Sequence, residues 1–267
     1  MLITFIGGGN MATALISGLA NPPRAHLEIR VCDPNEKART HLERTFGVAT
    51  HTDAGQAIDG ANVIVLAVKP QNMPQVLSGL RGKTRPEQLV LSIAAGITMA
   101  SIIEQLGEDQ AVIRSMPNTP ALIGHGITGV VAGRHCSNLQ REQAEEILSA
   151  AGELVWLEDE GLMDAVTAIS GTGPAYYFLL TEALAAAAEA FGLPPETADR
   201  LASMTCFGAG AMLAGSPGEA AELRQRVTSP GGTTQAAMVI MENGNFRELV
   251  FRAAEAARDR SRELALK

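Results

Sequence analysis

The chain has 267 residues, 46% of them hydrophobic, and a formal net charge of -8. That length can bury a large core and favours two domains over one, while the acidic balance argues against a nucleic-acid or anionic-membrane partner. Cys32, Cys136 and Cys206 are scattered without a CxxC pair, so neither a disulfide framework nor a metal site is expected, and a reducing, cytoplasmic compartment fits best.

The apolar start "MLITFIGGGNMATALISGLA" lacks a basic leader region, since Arg24 is the first positive charge, and reads as a buried strand followed by a helix. Short apolar runs at Leu2 to Ile6, Glu28 to Cys32, Asn62 to Leu66, Gln88 to Ile93 and Ala111 to Arg114 are predicted strands. Between them lie predicted helices at Asn10 to Ala20, Glu36 to Phe46, Pro74 to Leu80 and Thr98 to Leu106. Strand and helix in alternation imply an α/β fold with a parallel, doubly wound, Rossmann-type sheet. "GITGVVAG" and "GELVWLE", with the helix "SNLQREQAEEILSAAG" between them, are expected to complete that sheet.

After about Glu160 the composition shifts to Ala, Leu, Met and Gly in helical windows through to Leu266. The uncharged stretch from Ala165 to Thr181 is broken by "GTGP" and is slightly short for a membrane span, so a soluble protein is expected. The domain reading is therefore residues 1–158 for dinucleotide binding and residues 159–267 for an all-helical domain. The small-residue stripes "EALAAAAEA" and "CFGAGAMLAG" suit either ordinary core or a subunit interface, and a homo-oligomer is expected.

In "FIGGGNMATAL", Gly7, Gly9 and Ala12 form a GxGxxA pattern directly after a strand and opening a helix. Gly7 permits the tight turn, Gly9 lets a pyrophosphate approach the backbone, and Ala12 lets helix pack on strand. The free amides and dipole of that helix start favour phosphate. Asp33 ends the second strand, where it either bonds the ribose hydroxyls or starts the "DPN" turn that runs to Asn35, and Lys37 is near enough to meet a phosphate instead. NAD versus NADP stays open on these residues. Three more loops follow strands, "AVKP" at Ala67 to Pro70, "AAG" at Ala94 to Gly96 and "MPNTP" at Met116 to Pro120, and together they are expected to line one cofactor cleft.

The lysines are Lys37, Lys69, Lys83 and Lys267, and the five histidines all precede Ser137. Alcohol oxidation by hydride transfer needs a positioned base, most often His or a tuned Lys, whereas a protonated C=N bond accepts hydride with little acid catalysis. The helical half is thus better equipped for imine reduction. Its turn "SPGGTT", before "QAAMVIME", is expected to present consecutive backbone amides at a helix start, with the hydroxyls of Thr233 and Thr234 added, which suits either a carboxylate or an ordinary helix cap. Tyr176 and Tyr177 follow "SGTGPA" and are placed as aromatic core before proton donors.

"FIGGGNMATALISGL", "VLAVKPQNM", "SIAAGIT", "RSMPNTPALIGHG", "DAVTAISGTGPAY" and "VTSPGGTTQAAMVIME" together resemble the pyrroline-5-carboxylate reductases, in order from Ile3 to about Glu263. The resemblance implies reduction of 1-pyrroline-5-carboxylate to L-proline by NADH or NADPH. It implies cofactor contacts from residues matching Gly8, Asn10 and Met11, with Val68, Lys69 and Ala95 beside the nicotinamide half. Thr233 and Thr234 match the carboxylate-binding pair, with the Thr234 hydroxyl near the ring nitrogen as the catalytic candidate. A helical domain exchanged in an intertwined homodimer, with dimers assembled into rings up to a decamer, is implied as well. The candidate cofactor set is then Gly7, Gly8, Gly9, Asn10, Met11, Asp33, Asn35, Val68, Lys69 and Ala95, and the substrate set is Gly232, Thr233 and Thr234. Ala54 and Arg226 stand where many relatives carry an asparagine and a small residue, which bears on cofactor preference. A β-hydroxyacid dehydrogenase would carry a lysine near the place of Tyr177, and a cofactor-binding sensor would bind without turnover.

Overall fold

The computed structural model describes residues 1–216 and 218–265. The chain forms two compact units, one built from Met1–Thr172 together with the chain from Ala257 on, the other from Gly173–Ala256.

The first unit is built on an eight-stranded sheet. Its strands are β1 (Leu2–Ile6), β2 (Glu28–Cys32), β3 (Ala49–His51), β4 (Val63–Leu66), β5 (Leu89–Ser92), β6 (Ala111–Met116), β7 (Gly126–Ala132) and β8 (Gly152–Trp156), in the order β3-β2-β1-β4-β5-β6-β7-β8. β4 and β5 are buried at every residue, which is why "VIVL" and "LVLS" read as near-unbroken apolar runs rather than alternating ones. Val63 and Val65 face one core with Ile3, Phe5, Leu15, Ile16 and Leu19, while Ile64 and Leu66 face the other with Met73, Leu77, Leu80 and Ile102. The two-residue strand period sorts them.

Helices α1 (Asn10–Ala20) and α2 (Glu36–Phe46), the four-residue α3 (Ala54–Ala57), α4 (Met73–Leu80), α5 (Met99–Leu106) and α6 (Asn138–Leu148) lie between the strands. Local chemistry sets several of their starts. Asn35, Asp53 and Thr98 each accept a backbone amide through the side chain, and Ser137 with Gln140 forms a reciprocal capping box.

The expected strands and helices are present, with two differences. β3 and α3 have three and four residues, too few for a periodic signal to emerge. The sheet is also not wholly parallel, because β7 runs antiparallel to β6 and carries β8 with it. The link from Met116 to Gly126 holds only a 3₁₀ turn at Thr119–Ile123, which returns the chain without the crossover that a parallel neighbour requires.

α7 (Met163–Val166) leads into a π-helical turn at Thr167–Gly171, and then α8 (Gly173–Ala190) and α9 (Pro195–Ala214) pack as a pair, followed by α10 (Ala220–Arg226), α11 (Thr233–Asn243) and α12 (Phe246–Ala265). No strand follows β8 among the described residues, and the last part of the expected helical stretch, Leu266, lies outside them. The final turns of α12 belong to the first unit, where Ser261 Oγ, buried, donates to Asp164 Oδ1 at 2.7 Å.

Gly18 of α1 passes so close to the chain after α6 that a Cβ there would stand 1.8 Å from the Ala150 carbonyl oxygen, whereas a Cβ on Gly79 of α4 meets nothing within 4 Å. Urea denaturation is expected to find Gly18→Ala destabilised by about 3 kcal/mol or more through overpacking. Gly79→Ala is expected to be neutral or stabilised by up to about 1 kcal/mol through helix propensity.

Candidate active site

Register brings the candidate cofactor residues to one edge. Ile6 pairs with Cys32 and Leu66, and Leu66 pairs with Ser92, so β1, β2, β4 and β5 end level with one another. Gly7, Asp33, Ala67 and Ile93 each begin the loop that follows. The chain leaves β1 toward β2 on one side and later returns to β4 on the other, so these loops flank the switch point where open α/β sheets bind ligands.

Gly7 is buried at φ +104°, donates its amide to the Cys32 carbonyl at 2.8 Å, and would place a Cβ 2.6 Å from the Ala67 oxygen. Only glycine combines that φ with that approach. A Cβ on Gly8 would meet Leu42 Cδ1 at 2.8 Å, but one on Gly9 meets nothing within 4 Å. Gly9 is the N-cap of α1, has no side chain to cap it, and is exposed together with Asn10, while Met11 is half-buried. The first-turn amides of α1 therefore face open space with a positive helix end behind them, and this cradle fits a pyrophosphate.

Asp33 is held closely. Its Oδ2 accepts the Gly8 amide at 2.7 Å, its Oδ1 accepts the Asn35 amide at 2.7 Å, and its carbonyl accepts Arg39 Nη1 at 2.7 Å. Asn35 spends its own side-chain oxygen on the Lys37 amide at 2.9 Å, capping α2. After β4, Val68 is half-buried against the second core and Lys69 is exposed at the start of a 3₁₀ turn. After β5, Ala95 is exposed beside Gly96, which turns the chain at φ +72°.

The structure adds residues that sequence reasoning passed over. Asn118, 7% exposed, donates Nδ2 to the Ser170 carbonyl of the π-helical turn at 3.1 Å and accepts the Ile127 amide at 3.0 Å, which fixes the "MPNTP" loop. Arg114, 6% exposed in the side chain, pairs with Glu160 Oε1 at 2.8 Å, and that oxygen also accepts the Met99 amide. An arginine inside the apolar run "AVIRSM" was the available signal for the second pair. Burial pushes the Cys32 and Cys136 thiols up from their ordinary value, so neither is a ready nucleophile. No group of side chains suited to a metal occurs among the described residues.

The candidate substrate residues lie in the second unit. Gly231 turns the chain at φ +73° and gives its amide to Gln235 Oε1 at 2.6 Å, and the Gly232 amide goes to the Ser229 carbonyl at 3.0 Å. α11 then starts at Thr233 with Gly232 as N-cap and no side-chain cap. The hydroxyls of Thr233 and Thr234 are thus not spent on capping, and the free amides begin at Thr233. Gly232 contributes an extended backbone and the absence of a Cβ, which would stand 3.1 Å from the Ser229 oxygen. Arg226 is engaged by Glu222 at 2.8 Å and Glu219 at 3.6 Å.

A doubly wound sheet with an open glycine cradle at its switch point, joined in one chain to a helical unit whose α11 starts without a side-chain cap, is the build of a nicotinamide-dependent oxidoreductase. Residues 2–96 match the family model described as "NADP oxidoreductase coenzyme F420-dependent", and residues 160–264 match "Pyrroline-5-carboxylate reductase dimerisation". The chain is 47% identical to the pyrroline-5-carboxylate reductase of Pseudomonas aeruginosa over 98% of its own length and 96% of that protein. Among solved structures it is similar to the pyrroline-5-carboxylate reductase of Coxiella burnetii, with a TM-score of 0.93, 40% identity and 98% of each chain covered. It is also similar to the Plasmodium falciparum enzyme with NADP bound, with a TM-score of 0.86, 27% identity, and 99% and 98% covered. The chain belongs to the pyrroline-5-carboxylate reductase family.

A Cβ at Gly9 meets no atom within 4 Å, so Gly9→Val places its side chain in the cradle. It is expected to leave the free energy of unfolding, from urea denaturation, within about 1 kcal/mol of the parent and to weaken NADPH binding by about 10-fold or more through lost backbone approach, measured by titrating reduced-nicotinamide fluorescence.

Proposed function

We propose that this protein reduces 1-pyrroline-5-carboxylate to L-proline with NADPH or NADH, the last step of proline biosynthesis. The observation that carries the proposal is the uncapped start of α11, where free amides and two uncommitted hydroxyls stand ready for a carboxylate in a family of imine reductases. Residues 1–158 serve as the dinucleotide-binding part, with Gly7, Gly8, Gly9, Asn10, Met11, Asp33, Asn35, Val68, Lys69 and Ala95 as its contacts, and residues 159–267 bind substrate and dimerise.

The reduced nicotinamide supplies the hydride when bound. The protein's own contribution is to hold and orient. The amides of Thr233 and Thr234 with their hydroxyls take the substrate carboxylate, Gly232 allows the close approach, and the Thr234 hydroxyl sits as hydrogen-bond partner of the ring nitrogen. The substrate enters as the protonated iminium, one hydride adds to its imine carbon, the C=N π pair becomes the amine lone pair, and no further proton is needed. Positioning of this kind accounts for roughly 7 to 11 kcal/mol of barrier in well-aligned cases. A hydroxyacid dehydrogenase is disfavoured because no histidine or lysine lies between Gly173 and Leu266 to take a hydroxyl proton.

The second unit carries apolar side chains that a single chain leaves in water, Phe191 at 85% exposure and Ile240 at 73% among them, with Phe178, Phe207 and Phe251 also open. A surface of that kind calls for a partner, and we assign it to a second copy in a homodimer, with dimers assembling further toward a decamer. Three free cysteines and no described helix long and apolar enough to cross a membrane fit a cytoplasmic enzyme.

Purified protein mixed with pyrroline-5-carboxylate and either NADPH or NADH is expected to consume the reduced cofactor and yield proline. Binding without consumption would point to a sensor instead. Thr234→Ala is expected to lower kcat/KM at least about 10-fold, the effect of losing one hydrogen bond worth about 1.4 kcal/mol in the transition state, while Thr234→Ser keeps most of the activity. Unchanged kinetics in Thr234→Ala would remove that hydroxyl from the mechanism. Sedimentation is expected to give at least twice the 28.0 kDa chain mass, and a 28.0 kDa species at micromolar concentration would overturn the interface assignment.

A further inference from the structure

We infer that Asp33 is a positioning residue of the glycine loop, a built-in anion that holds the Gly8 amide and sets the shape of the cradle before any cofactor arrives. This rests on the reading of that loop as a dinucleotide cradle.

A residue whose carboxylate served only to read ribose would turn both oxygens outward. In Asp33 each oxygen already accepts a backbone amide, Oδ2 from Gly8 and Oδ1 from Asn35, both at 2.7 Å, and bonds to an ionised acceptor are shorter and stronger than neutral ones. The residue itself is fixed from two further directions. Its amide donates to the His51 carbonyl of β3 at 3.2 Å, and its carbonyl accepts Arg39 Nη1 of α2 at 2.7 Å. Asp33 is thereby a rigid post.

What the post holds is the middle glycine. Gly7 on one side is pinned by its bond to Cys32 and its approach to Ala67, and Gly9 on the other side opens α1. Gly8 has no packing side chain of its own, and the Asp33 bond supplies the restraint that keeps the loop folded back on β2. The carboxylate keeps lone pairs for ribose hydroxyls, since an ionised carboxylate offers about four acceptor sites. Asparagine has one acceptor oxygen, so at position 33 it satisfies one of the two amides and turns a donor NH₂ toward the other.

The test is amide hydrogen exchange of the cofactor-free protein, followed in the peptide that spans residues 3–11, in the parent and in Asp33→Asn and Asp33→Ser. Protection at Gly8 in the parent, and a loss of about 10-fold or more in both variants, is the expected result for a lost charge-assisted bond. Titration of reduced-nicotinamide fluorescence is then expected to show NADH and NADPH both weakened by about 3-fold or more, the loss they share through the cradle. An unprotected Gly8 amide in the parent would overturn the inference whether or not the variants fold. So would unchanged exchange in Asp33→Asn with a selectivity swing beyond about 10-fold toward NADPH, which would mark Asp33 as a reader of the ribose alone. The exchange experiment contains no cofactor or imine, so its failure is distinguishable from failure of the parent to reduce pyrroline-5-carboxylate.

Discussion

The approach of Gly7 to the Ala67 carbonyl is the constraint on which the first unit depends. It requires a residue without a Cβ and with positive φ directly after β1. Because β1 sits between the two halves of the sheet, this one contact brings the loop that opens α1 against the loop that follows β4. If the two strands ended out of register, the glycine amides and the "AVKP" backbone would not share an edge. The pairing of Ile6 with Leu66 ensures that they do. The cradle is thus a consequence of strand register and one missing side chain, with the Asp33 carboxylate holding the Gly8 amide between them.

How much of this is legible in the sequence depends on whether the determining force is local. β4 and β5 are readable because burial on both faces writes itself as unbroken apolar runs. α1 and α2 are readable to the residue because their ends coincide with glycine or asparagine signals. β3 is not readable, since its three residues gain strand geometry only by pairing with β2. The reversal of β7 is likewise set by what is absent from the preceding link, a crossover helix, rather than by anything in "GITGVVA" itself.

The site residues divide the same way. The sequence leaves Asp33 between ribose acid and turn starter, and the geometry gives it the turn through Asn35 together with a bond no spacing rule anticipates, because Gly8 is 25 residues away along the chain. Asn118 is invisible for the same reason: its partners, at Ser170 and Ile127, come from separate elements. "SPGGTT" is ambiguous in sequence because a helix cap and an anion site use the same residue types. The absence of a side-chain cap on α11 favours the second use.

A common thread joins the two binding elements. Both are helix starts that follow glycine; α4, α9 and α10 also lack a side-chain cap, but among the described residues only α1 and α11 combine that with a glycine N-cap, whereas α2, α3, α5 and α6 satisfy amides with side chains. With glycine as N-cap in place of a capping side chain, each helix gives up roughly a few tenths of a kcal/mol, so these two starts are locally somewhat less stable than the sequence could have made them. In the proposed function that loss is recovered when an anion binds, a pyrophosphate at one start and a carboxylate at the other. For a reaction whose substrate is already electrophilic, such reserved backbone donors are sufficient machinery, and a tuned acid or base would add little. On the proposed reading the helical half can therefore dispense with histidine, and with lysine before its last residue, and leave its chemistry to glycines and threonines.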